Sequence, residues 1–227
     1  MSYEFDFQNL EPYWADFLRG AWLTLQLSVL STVLGCALGT LCAIGRSKGP
    51  PWLRAVLGAY VETMRNTPLL VQVFIVYFGI ATLGIRLSAN MAAVIALVIN
   101  VSAYTCEIVR AGLESIHSSQ IEAAECLGLN RFQIYWHVIL RPAVERVYPA
   151  LTSQYIMLML ASSITSQISA EELTAAANRI QSDTFRSFET YIVVGLIYLV
   201  LSFVVRLCFW LFGQFAFPRR RKLGTAL

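Results

Sequence analysis

The sequence predicts an all-α fold, an integral membrane helical bundle of five transmembrane helices. Three observations predict it. The chain is 57% hydrophobic and 14% charged, with a mean hydropathy of +0.60, whereas a soluble domain carries about a quarter charged residues. The charges leave long gaps: none lies between Arg19 and Arg46, Arg65 and Arg86, Arg86 and Glu107, or Arg146 and Glu171, and only Arg206 lies between Glu189 and Arg219. Each gap is at least about as long as the ~20 residues a helix needs to cross a bilayer. The basic residues are also one-sided. Arg46, Lys48, Arg54, Arg110, Arg131, Arg141, Arg146, Arg219, Arg220, Arg221 and Lys222 fall on one side of the five spans, against Arg19, Arg86, Arg179 and Arg186 on the other. The richer side is expected to be cytoplasmic, which puts the amino terminus outside and the carboxyl terminus inside.

The whole of 1–227 is expected to be a single transmembrane domain. The first eighteen residues hold Glu4, Asp6, Glu11 and Asp16 and no Lys or Arg, unlike the basic start of a secretory signal, so the first span is expected to be retained. Net charge is only +3, and the basic tail reads as a topology anchor rather than a nucleic-acid site. Cys36, Cys42, Cys106, Cys126 and Cys208 show no metal or redox spacing, and those within spans should pack as small apolar side chains.

Span one is expected over about Ala21–Gly45, after an interfacial stretch at Leu10–Leu18 with Tyr13, Trp14 and Phe17. Its Gly35-x-x-x-Gly39 lets another helix approach closely. Gly49-Pro50-Pro51 breaks the chain. Span two then runs to about Leu83, carrying Arg65, Asn66 and Thr67 before Pro68, which removes a backbone donor and should kink or interrupt it. Broken helices border substrate paths in transporters, so Arg65, Asn66 and Thr67 are candidate pathway residues; the alternative is an inner rim with Arg65 reaching headgroups. Span three, about Ser88–Gly112, carries Asn100 as a further candidate and closes on Glu107 and Arg110, three apart and able to pair. Span four is expected over about Val147–Ser169. Its hydroxyls, among them Ser162, Ser163 and Thr165, either line a wet cavity or bond the carbonyls of their own helix. In the outer connection Leu173, Ala176, Ala177 and Ile180 recur at helical spacing. Span five covers about Tyr191–Phe217, and Arg206 within it reaches the inner interface or pairs in the bundle.

The loop at about 113–146 is a polar island between apolar runs. Ser119 and Glu122 have capping-box spacing, which starts a short helix near Gln120; Gly128 should end it in the left-handed conformation. Asn130 can cap a second helix, which Arg141-Pro142 should end. A two-turn helix is marginal alone. With Ala123 and Ala124 leaving its backbone approachable and Ile121, Ala124 and Leu127 as an apolar stripe, it suits docking into a partner's groove. The alternative is an ordinary surface helix packed on the protein's own inner rim.

Glu122-Ala123-Ala124, Gly128 four residues later, and Val138-Ile139-Leu140 resemble the cytoplasmic EAA loop of ABC importer permeases. Arg65-Asn66-Thr67-Pro68-Leu69-Leu70 resembles the R-G-T-P-L-L run of the polar amino acid uptake permeases, and Ala103-Tyr104-x-x-Glu107-x-x-Arg110-x-Gly112 is similar to their A-Y-x-x-E-x-x-R-G-G. Thr24-Leu25-x-Leu27-Ser28 and Glu172-Leu173 also match. The resemblance implies a type I ABC importer fold in a bacterial inner (cytoplasmic) membrane. It implies two permease subunits around one path, a dimer of ABC ATPase subunits that binds ATP and Mg, a periplasmic substrate-binding protein, and an amino acid as substrate. Membrane lipid surrounds the assembly, and nucleic acid has no part in it. Glu122, Ala123, Ala124, Leu127 and Gly128 would be the ATPase-coupling residues; Glu107, Arg110 and Pro68 would be structural.

There are departures from the family pattern. Its L-P-Q is here Leu140-Arg141-Pro142, its P-x-G-Q is Ser118-Ser119-Gln120, and its lysine-acid-T-S-L in span four is Leu160-Ala161-Ser162-Ser163-Ile164. The last suggests one half of a heterodimer whose other subunit supplies more of the pocket.

The chain has no G-x-x-x-x-G-K-[ST], no Gly-x-Ser-x-Gly and no paired-carboxylate site. His117 and His137 lack metal spacing. No catalytic residue, no metal site and no cofactor of its own is expected, and energy for uphill transport would enter through another chain. The rivals are an ion-gradient-driven secondary transporter or channel, which would hide acids mid-membrane, and a non-transporting scaffold.

Overall fold

The computed structural model describes residues 5–217; the basic residues Arg219, Arg220, Arg221 and Lys222 lie outside the described residues. A 3-10 turn, Gln8–Tyr13, leads into α1 (Trp14–Lys48). There follow α2 (Pro51–Arg65), α3 (Leu69–Thr82), α4 (Ala89–Glu114), the short α5 (Ser118–Cys126), α6 (131–161), a 3-10 turn at Ser162–Ile168, α7 (Leu173–Thr184) and α8 (Ser187–Ala216). No strand occurs among the described residues.

The centre of the bundle is the packing of α1 on α4. Membrane helices associate through close backbone approach, because lipid is as apolar as their side chains. Gly39 supplies that approach: a Cβ there would lie 2.6 Å from the Ser102 carbonyl oxygen and 2.6 Å from Thr105 Cβ. Thr24, Ser28 and Ser31 are buried along α1, and Thr24 and Ser28 donate to the carbonyls of Gly20 and Thr24 in their own helix. Leu97 and Val101 of α4 pack with Tyr155 and Leu158 of α6. Val73 of α3 packs with Ala92, Ala93 and Ala96 of α4 and with Ile168. Cys42 and Cys106 sit with Ala43, Val61 and Ala103 in a third cluster.

The expected second span is broken rather than bent. Asn66 closes α2, Pro68 caps α3 in an extended conformation, and the two helices meet at 111°. Among the described residues, three helices are long and apolar enough to cross a bilayer: Gln8–Lys48, Ala89–Glu114 and Ser187–Ala216; the α2–α3 pair makes a fourth if it counts as one span.

Two expectations about residues 131–169 need correcting. The helix capped by Asn130 does not end at Arg141-Pro142, and span four does not start afresh at Val147. A π turn over Ile134–Leu140 carries the helix on through Arg141–Ala161. Proline breaks a helix because it lacks a donor and clashes with the carbonyl four residues back; the widened π turn re-spaces those carbonyls ahead of Pro142. The span also finishes differently, tightening at Ser162 into the 3-10 turn, which Ser169 ends at φ +63°.

On the opposite face, α7 docks by Leu173, Ala177 and Ile180 against Phe17, Ala21 and Val194, as the helical spacing predicts. Its cap is the fully buried Glu172. That carboxylate accepts from the Ala175 N–H at 3.0 Å and the Tyr198 hydroxyl at 2.6 Å, while Thr24 Oγ1 accepts the Leu173 N–H at 3.1 Å. Glu172 and Thr24 together thus join α1, α7 and α8. Burial pushes the Glu172 carboxyl above the ordinary carboxylate range, and the hydrogen bonds from Tyr198 and Ala175 pull it partly back.

Two predictions follow from this packing. Gly39→Leu drives a side chain into the α4 backbone and should destabilise the bundle by about 2 kcal/mol or more, read as a lower melting temperature of the detergent-purified protein; Ser31→Ala should leave it near wild type. A carboxyl held above its ordinary value binds its proton more tightly folded than unfolded. The docking of α7 is therefore strongest below the ordinary carboxylate pKa and weakens as pH rises through the raised value. Glu172→Gln should remove that part of the pH dependence above about pH 4, measured as melting temperature against pH.

Candidate functional site

The polar loop folds into a helix, a left-handed stop and a second helix. The start differs from expectation: α5 begins at Ser118, with His117 Nδ1 accepting the Ser119 N–H at 3.4 Å. Glu122 then lies too far inside to reach back to the cap, so no Ser119–Glu122 capping box forms, and its side chain is exposed. The stop is as expected. Gly128 has φ +75°, its N–H bonds the Glu125 carbonyl at 2.9 Å, and the Leu129 N–H bonds the Ala124 carbonyl at 3.1 Å. This paired closure needs the left-handed conformation that glycine takes without penalty. A reciprocal capping box does form, one helix later: Gln133 N–H to Asn130 Oδ1 and Asn130 N–H to Gln133 Oε1, each 2.9 Å.

The two faces of α5 are divided. Ala124 is buried and Ile121 half-buried, against the π turn of α6. Glu122, Ala123, Leu127 and Gly128 face outward, with Leu127 80% exposed. So the stripe Ile121–Ala124–Leu127 does not act as one surface: its first two members pack on the protein's own rim, and the third points away.

Behind the loop the near ends of three helices converge on Glu107. Its carboxylate takes hydrogen bonds from Arg46 of α1 and from Arg110 Nη2 at 2.8 Å, and Arg65 of α2 lies at 4.0 Å. Arg110 also bonds Glu114 at 2.6 Å. The Arg65 guanidinium sits 5.6 Å from the Tyr104 ring centre. The Glu107–Arg110 pair is the one expected from spacing; the contribution of Arg46 is not visible in the sequence, because it comes from 61 residues away. The loop is tied to this rim twice. Lys48 of α1 lies 4.7 Å over the Tyr135 ring, and Arg146 of α6 donates to Ser115 Oγ at 2.9 Å, just beyond α4.

A second polar set holds the α2–α3 break. Gln72 Nε2 donates to Thr67 Oγ1 and the Met64 carbonyl, each at 2.8 Å, and Asn100 Nδ2 donates to Gln72 Oε1 at 3.0 Å. Thr67 and Asn100, two of the candidate pathway residues, are thereby brought together. Asn66 Nδ2 instead bonds the Glu62 carbonyl at 2.8 Å, and Arg65 belongs to the rim. Gln72, absent from the sequence-derived candidates, is the hub of the set. Its signal was available: it is the one amide in the run 69–82.

The hydroxyl-rich stretch stands apart from both. Ser162 and Thr165 are fully buried, and Ser162, Ser163 and Thr165 donate to the carbonyls of Met159, Leu160 and Ser162, at 2.7, 2.8 and 2.7 Å. These are the own-backbone bonds expected of such hydroxyls, and each reaches three residues back, which suits the tight 3-10 turn.

Comparison with known proteins matches this architecture. The family model described as "Binding-protein-dependent transport system inner membrane component" matches residues 35–214. An octopine transport system permease protein, OccM, of Rhizobium radiobacter is 34% identical over 92% of this chain and 90% of its own length. The glutamine transport system permease protein GlnP of Escherichia coli K12 is 34% identical over 89% of this chain and 95% of its own. A crystal structure of an amino acid ABC transporter with histidines superposes with a TM-score of 0.86 at 35% identity, covering 93% of this chain and 99% of that one. An inward-facing structure of the MetNI methionine ABC transporter, at 20% identity and TM-score 0.71, shares the fold. The chain belongs to the family of binding-protein-dependent transport system inner membrane components, and it is an ABC transporter permease subunit.

Proposed function

We propose that this chain translocates a polar amino acid across a bacterial inner membrane, as one permease subunit of an importer driven by a separate ATPase dimer. The relatives named for octopine and glutamine transport support the substrate class, and the solved amino acid transporter supports the assembly type. In this reading the chain spans the bilayer five times. The α2–α3 pair is one broken span, and 147–161 together with the 3-10 turn is another. The amino terminus is outside and the loop inside. ATP and Mg are bound by the ATPase subunits, a periplasmic binding protein delivers the substrate, and the second permease subunit is a different chain.

The observation that carries the reading is the division of α5. One face is fixed to the protein's own rim and the other, with Glu122, Ala123, Leu127 and Gly128, is free. A nine-residue helix is held in shape by its Gly128 closure rather than by intrinsic stability. An ATPase that grips the free face moves α6 through the π turn, α1 through Lys48–Tyr135, and α4 through Arg146–Ser115. The path then alternates between outward and inward openings, and substrate and nucleotide bias these states through differential affinity. The Gln72–Asn100–Thr67 set holds the break that borders the path.

Gly128→Val should leave the subunit inserted but cut ATP-driven uptake by about tenfold or more while ATP hydrolysis persists, since a β-branched residue resists positive φ. Wild-type uptake by that variant, measured in proteoliposomes with the binding protein, contradicts the assignment; uptake that survives ATP depletion and follows the proton gradient favours a secondary transporter. Glu107→Gln leaves Arg46, Arg65 and Arg110 without a countercharge at a partly exposed rim. It should lower stability by about 2 kcal/mol, read as a lower melting temperature of the purified complex, with a smaller loss for Glu114→Gln.

A further inference from the structure

Arg206 is the only charged residue between Glu189 and Arg219. It is exposed, and it has no hydrogen bond or ion pair with any described residue. It lines a groove of about 330 Å³ between α6 and α8, with Tyr148, Thr152, Ser153, Phe203 and Trp210. Most hydroxyls nearby are spent: Tyr148 donates to the Phe209 carbonyl at 2.5 Å and Thr152 to the Tyr148 carbonyl at 3.0 Å. Ser153 is exposed and has no partner among the described residues. The groove therefore offers one guanidinium and one free hydroxyl on an otherwise aromatic and aliphatic wall.

A guanidinium within a span that meets no carboxylate or carbonyl among the described residues favours an anion near the interface. The lining says which kind. Close helix–helix contact in membranes uses small residues, and in this chain they are concentrated where α1 meets α4. The exposed surface of α8 around Arg206 is instead bulky: Phe203, Val204, Leu207, Trp210 and Leu211. Such a wall accommodates acyl chains better than a tightly packed second helix. The depth fits as well. Thr152 follows Arg146 by six residues, about 9 Å along the helix from the inner rim, within the region where arginine side chains reach toward headgroups and Trp and Tyr are enriched.

We propose that the α6–α8 groove is a phospholipid site: Arg206, with Ser153, holds the phosphate of an anionic phospholipid in the leaflet on the coupling-loop side, and Phe203 and Trp210 flank its first acyl carbons. The leaflet assignment rests on the orientation given under Proposed function; the site does not. The basic residues on that side raise the local concentration of anionic lipid.

The test is native mass spectrometry of the complete transporter extracted from vesicles of phosphatidylcholine with or without phosphatidylglycerol. The wild-type complex should retain one more phosphatidylglycerol per copy of this chain than Arg206→Gln does, with occupancy lowered about fivefold in the variant and partly restored by Arg206→Lys. Ser153→Phe, which fills the groove and keeps the guanidinium, should also lose the lipid, and it decides the matter if Arg206→Gln fails to insert. Equal retention by wild type and the variants, retention of phosphatidylcholine alone, or displacement by millimolar inorganic phosphate overturns the proposal. So does loss of the second permease subunit from Arg206→Gln, which would assign the groove to a protein contact. ATP-driven uptake by the wild type, measured on the same vesicles, tests the transport reading separately.

Discussion

Three helices meet at one carboxylate beside the α5 loop. Glu107 gathers Arg46, Arg65 and Arg110, and without it the bundle would hold three cations at its rim with only Glu114 beside them. The cost of bringing charge to a low-dielectric rim makes this arrangement selective: an ion cluster of this kind is stable only when every member is placed, so α1, α2 and α4 are fixed relative to one another on that side. The loop that carries α5 is attached to this fixed rim through Lys48–Tyr135 and Arg146–Ser115. A push on α5 is therefore received by several helices together.

The opposite end is organised differently. There the buried Glu172 joins α7 to α8, and Thr24 of α1 accepts the Leu173 N–H beside it, through hydrogen bonds. Between the two ends lies the α2–α3 break, where the carbonyls of Met64 and Thr67 accept from Gln72 Nε2, and Gln72 is held in turn by Asn100. Irregular backbone is tolerated at membrane depth only where protein or a wet cavity satisfies it. The bundle thus has a charged clasp on the α5 side, a clasp centred on Glu172 at the far end and an amide-held discontinuity between them.

Much of this was legible in the sequence, for physical reasons that can be named. The long charge-free gaps mark α1, α4 and α8, because a bilayer imposes length. Leu173, Ala176, Ala177 and Ile180 mark α7, because one face of that helix is buried. Gly128 marks the end of α5, because few residues other than glycine tolerate its backbone. The unbroken run of α6 through Pro142 was not legible: a π turn overrides the ordinary meaning of proline, and nothing local announces it. Nor were Arg46 and Gln72 as partners, since their contacts lie 61 and 28 residues away. The hydroxyls of Ser162, Ser163 and Thr165 admitted two readings from sequence; in the 3-10 turn each bonds a carbonyl of its own backbone.

The central claim is that the free face of α5 is held by an ATP-hydrolysing partner. The chain carries its own probe, the exposed Cys126 at the end of α5. A short bis-maleimide applied to the intact complex should join Cys126 to an ATPase subunit bearing a cysteine in its permease-facing groove. The yield should change between nucleotide-free and ATP-bound states and vanish in Cys126→Ser. Labelling of Cys126 by an impermeant maleimide from outside intact cells, or a crosslink that never captures an ATPase in any nucleotide state, contradicts the account.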